Sequence, residues 1–110
     1  MPQEPGDVVQ GTLDMLILKT LALEPMHGFG IATRIEQMSK GVFRVNGGSL
    51  FVAFKRLQRA GWIRGEWRAT ENNRQAKYYS LTTSGKNKLR SEAKEWGRQA
   101  SAIARILEAS

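Results

Sequence analysis

Residues able to act as nucleophiles or metal ligands are nearly absent from this chain. His27 is the only histidine and there is no cysteine. A Ser/His/Asp arrangement would have to use His27, which stands in the break "EPMHGFG", where a structural hydrogen bond is the expected role. One histidine without cysteine cannot build a zinc site, so neither an enzyme nor a cofactor is expected. The glycines of "HGFG" and "NGGS" have no strand before them and no "GK[ST]" after them, so they are not a dinucleotide or P-loop fingerprint. Each run does precede a helix start, where free N–H groups attract anions. Phosphate contact and simple chain reversal both stand as readings there.

Cations are plentiful and badly distributed. The net charge is +7, but residues 44 to 90 alone hold eleven basic side chains against Glu66 and Glu71, a local +9. Residues 1 to 43 carry three cations and five carboxylates, and residues 91 to 110 balance at three and three. Charge clustered in this way favours a polyanionic partner over a merely solvated surface. Its centre is Gly47 to Trp62, "GGSLFVAFKRLQRAGW". There Leu50, Phe54 and Leu57 fall at i, i+4 and i+7 and predict a helix with one apolar face. Phe51, Lys55 and Arg59 lie on another face, with Val52 and Arg56 beside them. Ser49 is the expected N-cap and Gly61 the expected left-handed stop.

The surrounding elements must position that helix. Leu13, Leu16, Ile17 and Leu21 predict a first helix from Thr12, with Leu18 and Leu23 adding apolar surface off the main stripe. Pro25, Gly28 and Gly30 interrupt it. A second helix, from about Phe29 to Ser39, turns Ile31, Ile35 and Met38 inward. After the basic helix, "WIRGEWR" and "KYYSLT" flank a polar loop and predict a β-hairpin. Trp62 is expected beneath that hairpin, and Trp67 and Tyr79 in sheet packing. Three helices followed by a hairpin with a basic tip describe a mainly α winged helix-turn-helix. In that arrangement Ser49, Phe51, Val52, Lys55, Arg56 and Arg59 approach the groove of double-stranded DNA. Arg74 and Lys77 contact phosphate from the wing.

One long helix follows, from Thr82 or Thr83 to about Glu108. Leu89, Ala93, Trp96, Ala100, Ile103 and Leu107 step 4, 3, 4, 3, 4 along it, the stripe of a helix packed on another helix. The core is already closed by the preceding elements, so the simplest partner is a second copy. The expected organisation is thus an arm over residues 1–10, a winged-helix unit over 11–82 and a dimerisation helix over 83–110.

The motifs "TLDMLIL", "HGFGI", "SLF..F.RL...GWI" and "KYYSLT..G" together resemble the PadR family of bacterial transcriptional regulators, over Gly11 to about Leu107. The resemblance implies a homodimeric winged-helix repressor of the branch with a single C-terminal helix. It also implies a response to a small aromatic or lipophilic effector, for which Trp96 between Ala93 and Ala100 is the candidate binding residue. The family pattern Ser-Leu-Tyr-Pro-Ala-Leu is altered here to Ser49-Leu50-Phe51-Val52-Ala53-Phe54. Phe51 lacks the tyrosine hydroxyl and Val52 lacks the fixed φ of proline, departures that bear on the DNA sequence recognised and not on the fold. Two rival readings are a non-sequence-specific nucleic-acid binder and a winged-helix protein-interaction module. No apolar run reaches the ~20 residues of a membrane span and no signal peptide is evident, so a cytoplasmic location is expected.

Overall fold

The computed structural model describes residues 10–110. All of the expected arm except Gln10 therefore lies outside the described residues. The chain forms α1 (Gln10–Leu23), β1 (Met26–His27), α2 (Gly28–Met38), α3 (Gly47–Arg59), β2 (Ile63–Ala69), β3 (Gln75–Leu81) and α4 (Thr83–Leu107). Helix α1 is the hub, packing against α2, α3, β3 and α4. Leu13, Ile17, Leu18 and Leu21 are all buried. That is the burial on more than one side that the off-stripe Leu18 predicts, although Leu23 at the helix end is exposed. Thr20 is buried too, and its hydroxyl donates to the Leu16 carbonyl at 2.8 Å, so its polar atom is satisfied within the helix.

The sheet has three antiparallel strands in the order β1-β3-β2, where the sequence predicts only a hairpin. Met26 and His27 pair with Tyr79 and Tyr78. Two residues are too short to show alternation, so β1 leaves no periodic signal. His27 then caps α2, its Nδ1 accepting the Gly30 N–H at 3.1 Å. Ile31 and Ile35 are buried, but Met38 is exposed. It is the last residue of α2, where the chain turns away through Lys40 and Gly41 at positive φ.

The cap of α3 is also shifted from expectation. Asn46, not Ser49, is the N-cap, its Oδ1 accepting from the N–H groups of Gly48 and Ser49 at 2.7 and 3.2 Å. Leu50, Ala53, Phe54 and Leu57 are the buried face. At the other end Gly61 adopts φ +80, and its N–H and that of Trp62 donate to Gln58 and Leu57 carbonyls, each at 3.0 Å. This 5→2 and 6→1 pair is a Schellman stop, which needs a residue without a Cβ at the left-handed position.

Sheet and helices share one core. The Tyr79 ring stacks on Phe54 with centroids 4.2 Å apart, and burial pushes its phenol above the usual tyrosine range. Helix α4 is welded to the end of α3 at its start. Thr82 donates its hydroxyl to the Gly61 carbonyl at 2.7 Å and accepts the Gly85 N–H at 3.0 Å. Gly85 presses on the Trp62 carbonyl so closely that a Cβ there would collide with backbone. Leu89 still packs on the core. Beyond it the helix, 25 residues and so roughly 37 Å long, leaves the core behind.

Candidate nucleic-acid interface

The two faces of α3 divide the chemistry. Its buried residues anchor the helix, and Ser49, Phe51, Val52, Lys55 and Arg59 are exposed on the opposite side. The Lys55 ammonium lies 4.5 Å from the Phe51 ring centroid, a cation–π contact that covers one side of the ring. Arg56 departs from the expected groove set. Its guanidinium forks onto Asp14 of α1, Nε to Oδ2 at 3.2 Å and Nη2 to Oδ1, with both side chains half-buried. A guanidinium held by a carboxylate in this bidentate way is committed to fixing α3 against α1. Arg56 thus stands next to Lys55 and Arg59 on α3, but its guanidinium is turned to Asp14 and holds the two helices together.

Phosphate contact at the glycine runs is not favoured either. The Asn46 side chain occupies the Gly48 and Ser49 N–H groups, and His27 occupies that of Gly30. Both runs are caps and chain reversals.

The wing is β2, β3 and a tight connection. Thr70 N–H donates to the Arg74 carbonyl at 2.6 Å, Asn73 N–H donates to the Thr70 carbonyl at 2.9 Å, and Asn73 takes φ +59. This leaves Arg74 exposed at the tip. Lys77 sits opposite Trp67 in register and shares a sheet face with Tyr79. Its chain crosses Gly65, where an added Cβ would come within 2.6 Å of the Lys77 Cε, and its ammonium lies 5.8 Å from the Tyr79 ring. Lys77, Arg44, Phe29, Phe51 and Phe54 all line a cleft of about 880 Å³ between the helices and the wing.

One wing cation is paired within the sheet, and one wing aromatic is not where the sequence suggests. Arg68 is tied to Glu66, with Nε at 2.7 Å, and lies over Tyr78 at 5.3 Å, so its charge is locally matched. Trp67 is 68% exposed rather than packed. It shares the inward face of β2 with buried Ile63, but four residues further along the strand, beyond the core. Strand alternation alone indicates the face; the distance from Ile63 is the signal that Trp67 lies past the core edge.

On α4, Trp96 is 54% exposed, and Ile103 and Leu107 are exposed with it. Ala93 is exposed and Ala100 half-buried, while Leu89 packs on its own core. Ile106, outside the expected stripe, is 73% exposed and widens the apolar strip. Arg98 donates to Glu95 at 3.0 Å through Nε and holds that carboxyl below its usual range. Lys88 pairs with Glu92 at 2.6 Å and caps the Trp62 ring at 4.7 Å, so part of the basic excess is spoken for. Among the described residues no cluster of three metal-ligating side chains occurs, and no helix is long and apolar enough to cross a membrane.

This architecture has close counterparts. A transcriptional regulator from Clostridium thermocellum superposes with a TM-score of 0.84 at 24% identity, covering 94% of this chain and 100% of that one, which establishes the shared fold. A PadR family transcriptional regulator from Eggerthella lenta gives a TM-score of 0.79 at 26% identity, over 92% and 86% of the two chains. An uncharacterized protein from Lysinibacillus sphaericus is 28% identical over 91 residues, 83% of this chain and 84% of that one. Residues 17–91, from α1 through the wing into α4, match the transcriptional regulator PadR-like family. The chain belongs to that family of transcriptional regulators.

Proposed function

We propose that the protein is a sequence-specific, homodimeric DNA-binding repressor whose occupancy of DNA is altered by a flat apolar effector. The observation that carries DNA recognition is the split of α3: four buried anchors on one face, and Phe51, Val52, Lys55 and Arg59 on the other. In this reading α3 enters the major groove N-terminus first, and Arg74 and Lys77 hold phosphate from the wing. Dimerisation rests on Trp96, Ile103, Ile106 and Leu107, large apolar side chains that a lone subunit leaves in water. Two-fold docking spaces the recognition helices by roughly 34–36 Å, one turn of duplex, so the operator is an imperfect palindrome. A dimer seated across such a site acts as a repressor by excluding other proteins from it.

Selection from a random duplex pool tests this reading. The expected result is one enriched palindrome bound far more tightly than unrelated duplex. Equal binding to all duplexes would instead establish the non-specific binder, and absence of salt-sensitive binding the protein-interaction module.

The effector site is proposed at Trp96, where Ala93 and Ala100 leave room around the indole. Two facing rings from two copies would accept a planar ring between them, each stacking contact adding about 0.5–1.5 kcal/mol beyond area burial. Titrating planar aromatic dyes into the wild type and Trp96→Phe checks this. Saturable quenching that disappears in the variant, with the dimer intact, is expected. An equal response in both proteins would move the site elsewhere.

A further inference from the structure

The leading surface of α3 has an unusual chemistry for a DNA reader. Side chains that read base edges by hydrogen bonds are Arg, Lys, Asn, Gln, Asp, Glu, Ser and Thr. Over its first two turns α3 exposes Gly47, Gly48, Ser49, Phe51 and Val52, of which only Ser49 carries a hydrogen-bonding side chain. The backbone adds little in its place, because the N–H groups of Gly48 and Ser49 are already bound by Asn46. Phe51 is 58% and Val52 57% exposed, yet neither belongs to the α4 strip or to the core. Cations surround this apolar patch: Lys55 over the Phe51 ring, Arg59 one turn beyond, and Arg44 and Lys77 across the cleft that Phe51 lines. An apolar tip inside a cationic frame matches a surface that is anionic at its edges and carries apolar points within.

We infer that Phe51 and Val52 read thymine C5-methyl groups, so that the specificity-determining contacts at the front of α3 are apolar. The inference rests on the DNA-binding reading above and deepens it by naming the feature recognised. The major-groove edge offers one protruding apolar group, the thymine methyl; beside it lie only small C–H edges and the hydrogen-bond donors and acceptors of the bases. Phe51 or Val52 pressed on a guanine or cytosine edge would strip those groups of water without replacing their hydrogen bonds, at a penalty. Against a thymine the same contact removes two apolar surfaces from water and gains. Discrimination therefore arises from both terms, and each half-site carries thymine where the first two turns of α3 meet the bases. The Lys55 ammonium, held over the Phe51 ring, keeps the aromatic side chain oriented and leaves its far edge to meet the methyl.

The test removes the methyl alone. The full-length protein selects a palindrome from a random duplex pool. Each thymine of the recovered duplex is then replaced singly by deoxyuridine, which keeps every hydrogen-bonding group. The expected loss is about fourfold for a desolvated methyl group, confined to one or two positions in each half-site. In Phe51→Ala or Val52→Ala, checked for unchanged helix content, the penalty at the matching position falls to near one. A tightly bound palindrome at which every deoxyuridine changes affinity by less than twofold overturns the inference and leaves the DNA-binding reading standing. So does a penalty that persists unchanged in both variants. If no sequence is enriched at all, sequence-specific binding fails first and the inference falls with it.

Discussion

The head of the molecule, α1 to β3, and the outer half of α4 solve the burial of apolar residues in opposite ways. The head closes on itself: twelve hydrophobic residues from α1, α2, α3, β2 and β3 are buried together, and they include an entire face of α3. The outer half of α4 buries almost nothing. Past Leu89 its large apolar side chains, Trp96, Ile103, Ile106 and Leu107, are exposed. The same periodic pattern of apolar residues is thus an internal core in one region and an exposed strip in the other, a strip that becomes an interface in the dimeric reading. What separates them is whether another element of the same chain lies opposite the stripe. A stripe shows that a helix packs; only the surrounding elements show on what.

If that contrast is right, a charge placed in the outer stripe should divide the dimer without unfolding the head. Ala100→Glu puts a carboxylate in the middle of the interface, and an unpaired buried charge costs about 3–5 kcal/mol. Sedimentation should show a shift to monomer at micromolar concentration, with the far-ultraviolet helix signal largely kept. A wild type already monomeric there, or a variant that unfolds entirely, would break the contrast.

The matching change in the head should have the opposite signature. Leu57, buried on α3, is replaced by alanine. A large-to-small core change of this kind costs about 2–5 kcal/mol. The loss should appear in denaturant unfolding at fixed protein concentration, and dimerisation of the remaining folded protein should be intact. Charge removal on the wing comes next in size. Arg74→Ala or Lys77→Ala should each reduce the slope of log K against log salt by about 0.9, and weaken all sequences alike. A slope unchanged in both variants would remove the wing from the interface.

Much of this was readable in the sequence, and most of the failures have a common cause. The stripes Leu50, Phe54 and Leu57, and Leu13, Ile17 and Leu21, are strong because many residues repeat one period. The stop at Gly61 is equally plain, since only a left-handed position demands a glycine there. Features fixed by one or two residues were hidden. Strand β1 has two residues, the choice of Asn46 over Ser49 as cap depends on a shift of three positions, and Met38 and Trp67 lie past the edge of the core. Pattern assigns a face, but it does not say where along that face the core ends. The pairing of Arg56 with Asp14 was invisible for another reason. The residues are 42 positions apart, and only the crossing of α1 and α3 brings them together.

That pair supplies the finest test of the two-faced helix. Arg56 and Arg59 stand three residues apart on α3 with the same side chain, and sequence alone gives them the same role. The structure gives Arg56 a carboxylate and leaves Arg59 exposed. Arg59→Ala should therefore remove one cation from the DNA contact, with a slope change of about 0.9 and little change in stability. Arg56→Ala should barely move the slope, because its charge is already matched within the protein. It should instead destabilise the fold modestly, and the coupling with Asp14→Ala in a double-mutant cycle should be about 1 kcal/mol, as both groups keep some contact with water. Arg56→Lys should recover only part of it, since an ammonium cannot reproduce the forked contact with both carboxylate oxygens. If Arg56→Ala changes the salt slope as much as Arg59→Ala does, the ion pair opens on DNA and Arg56 joins the reading face after all.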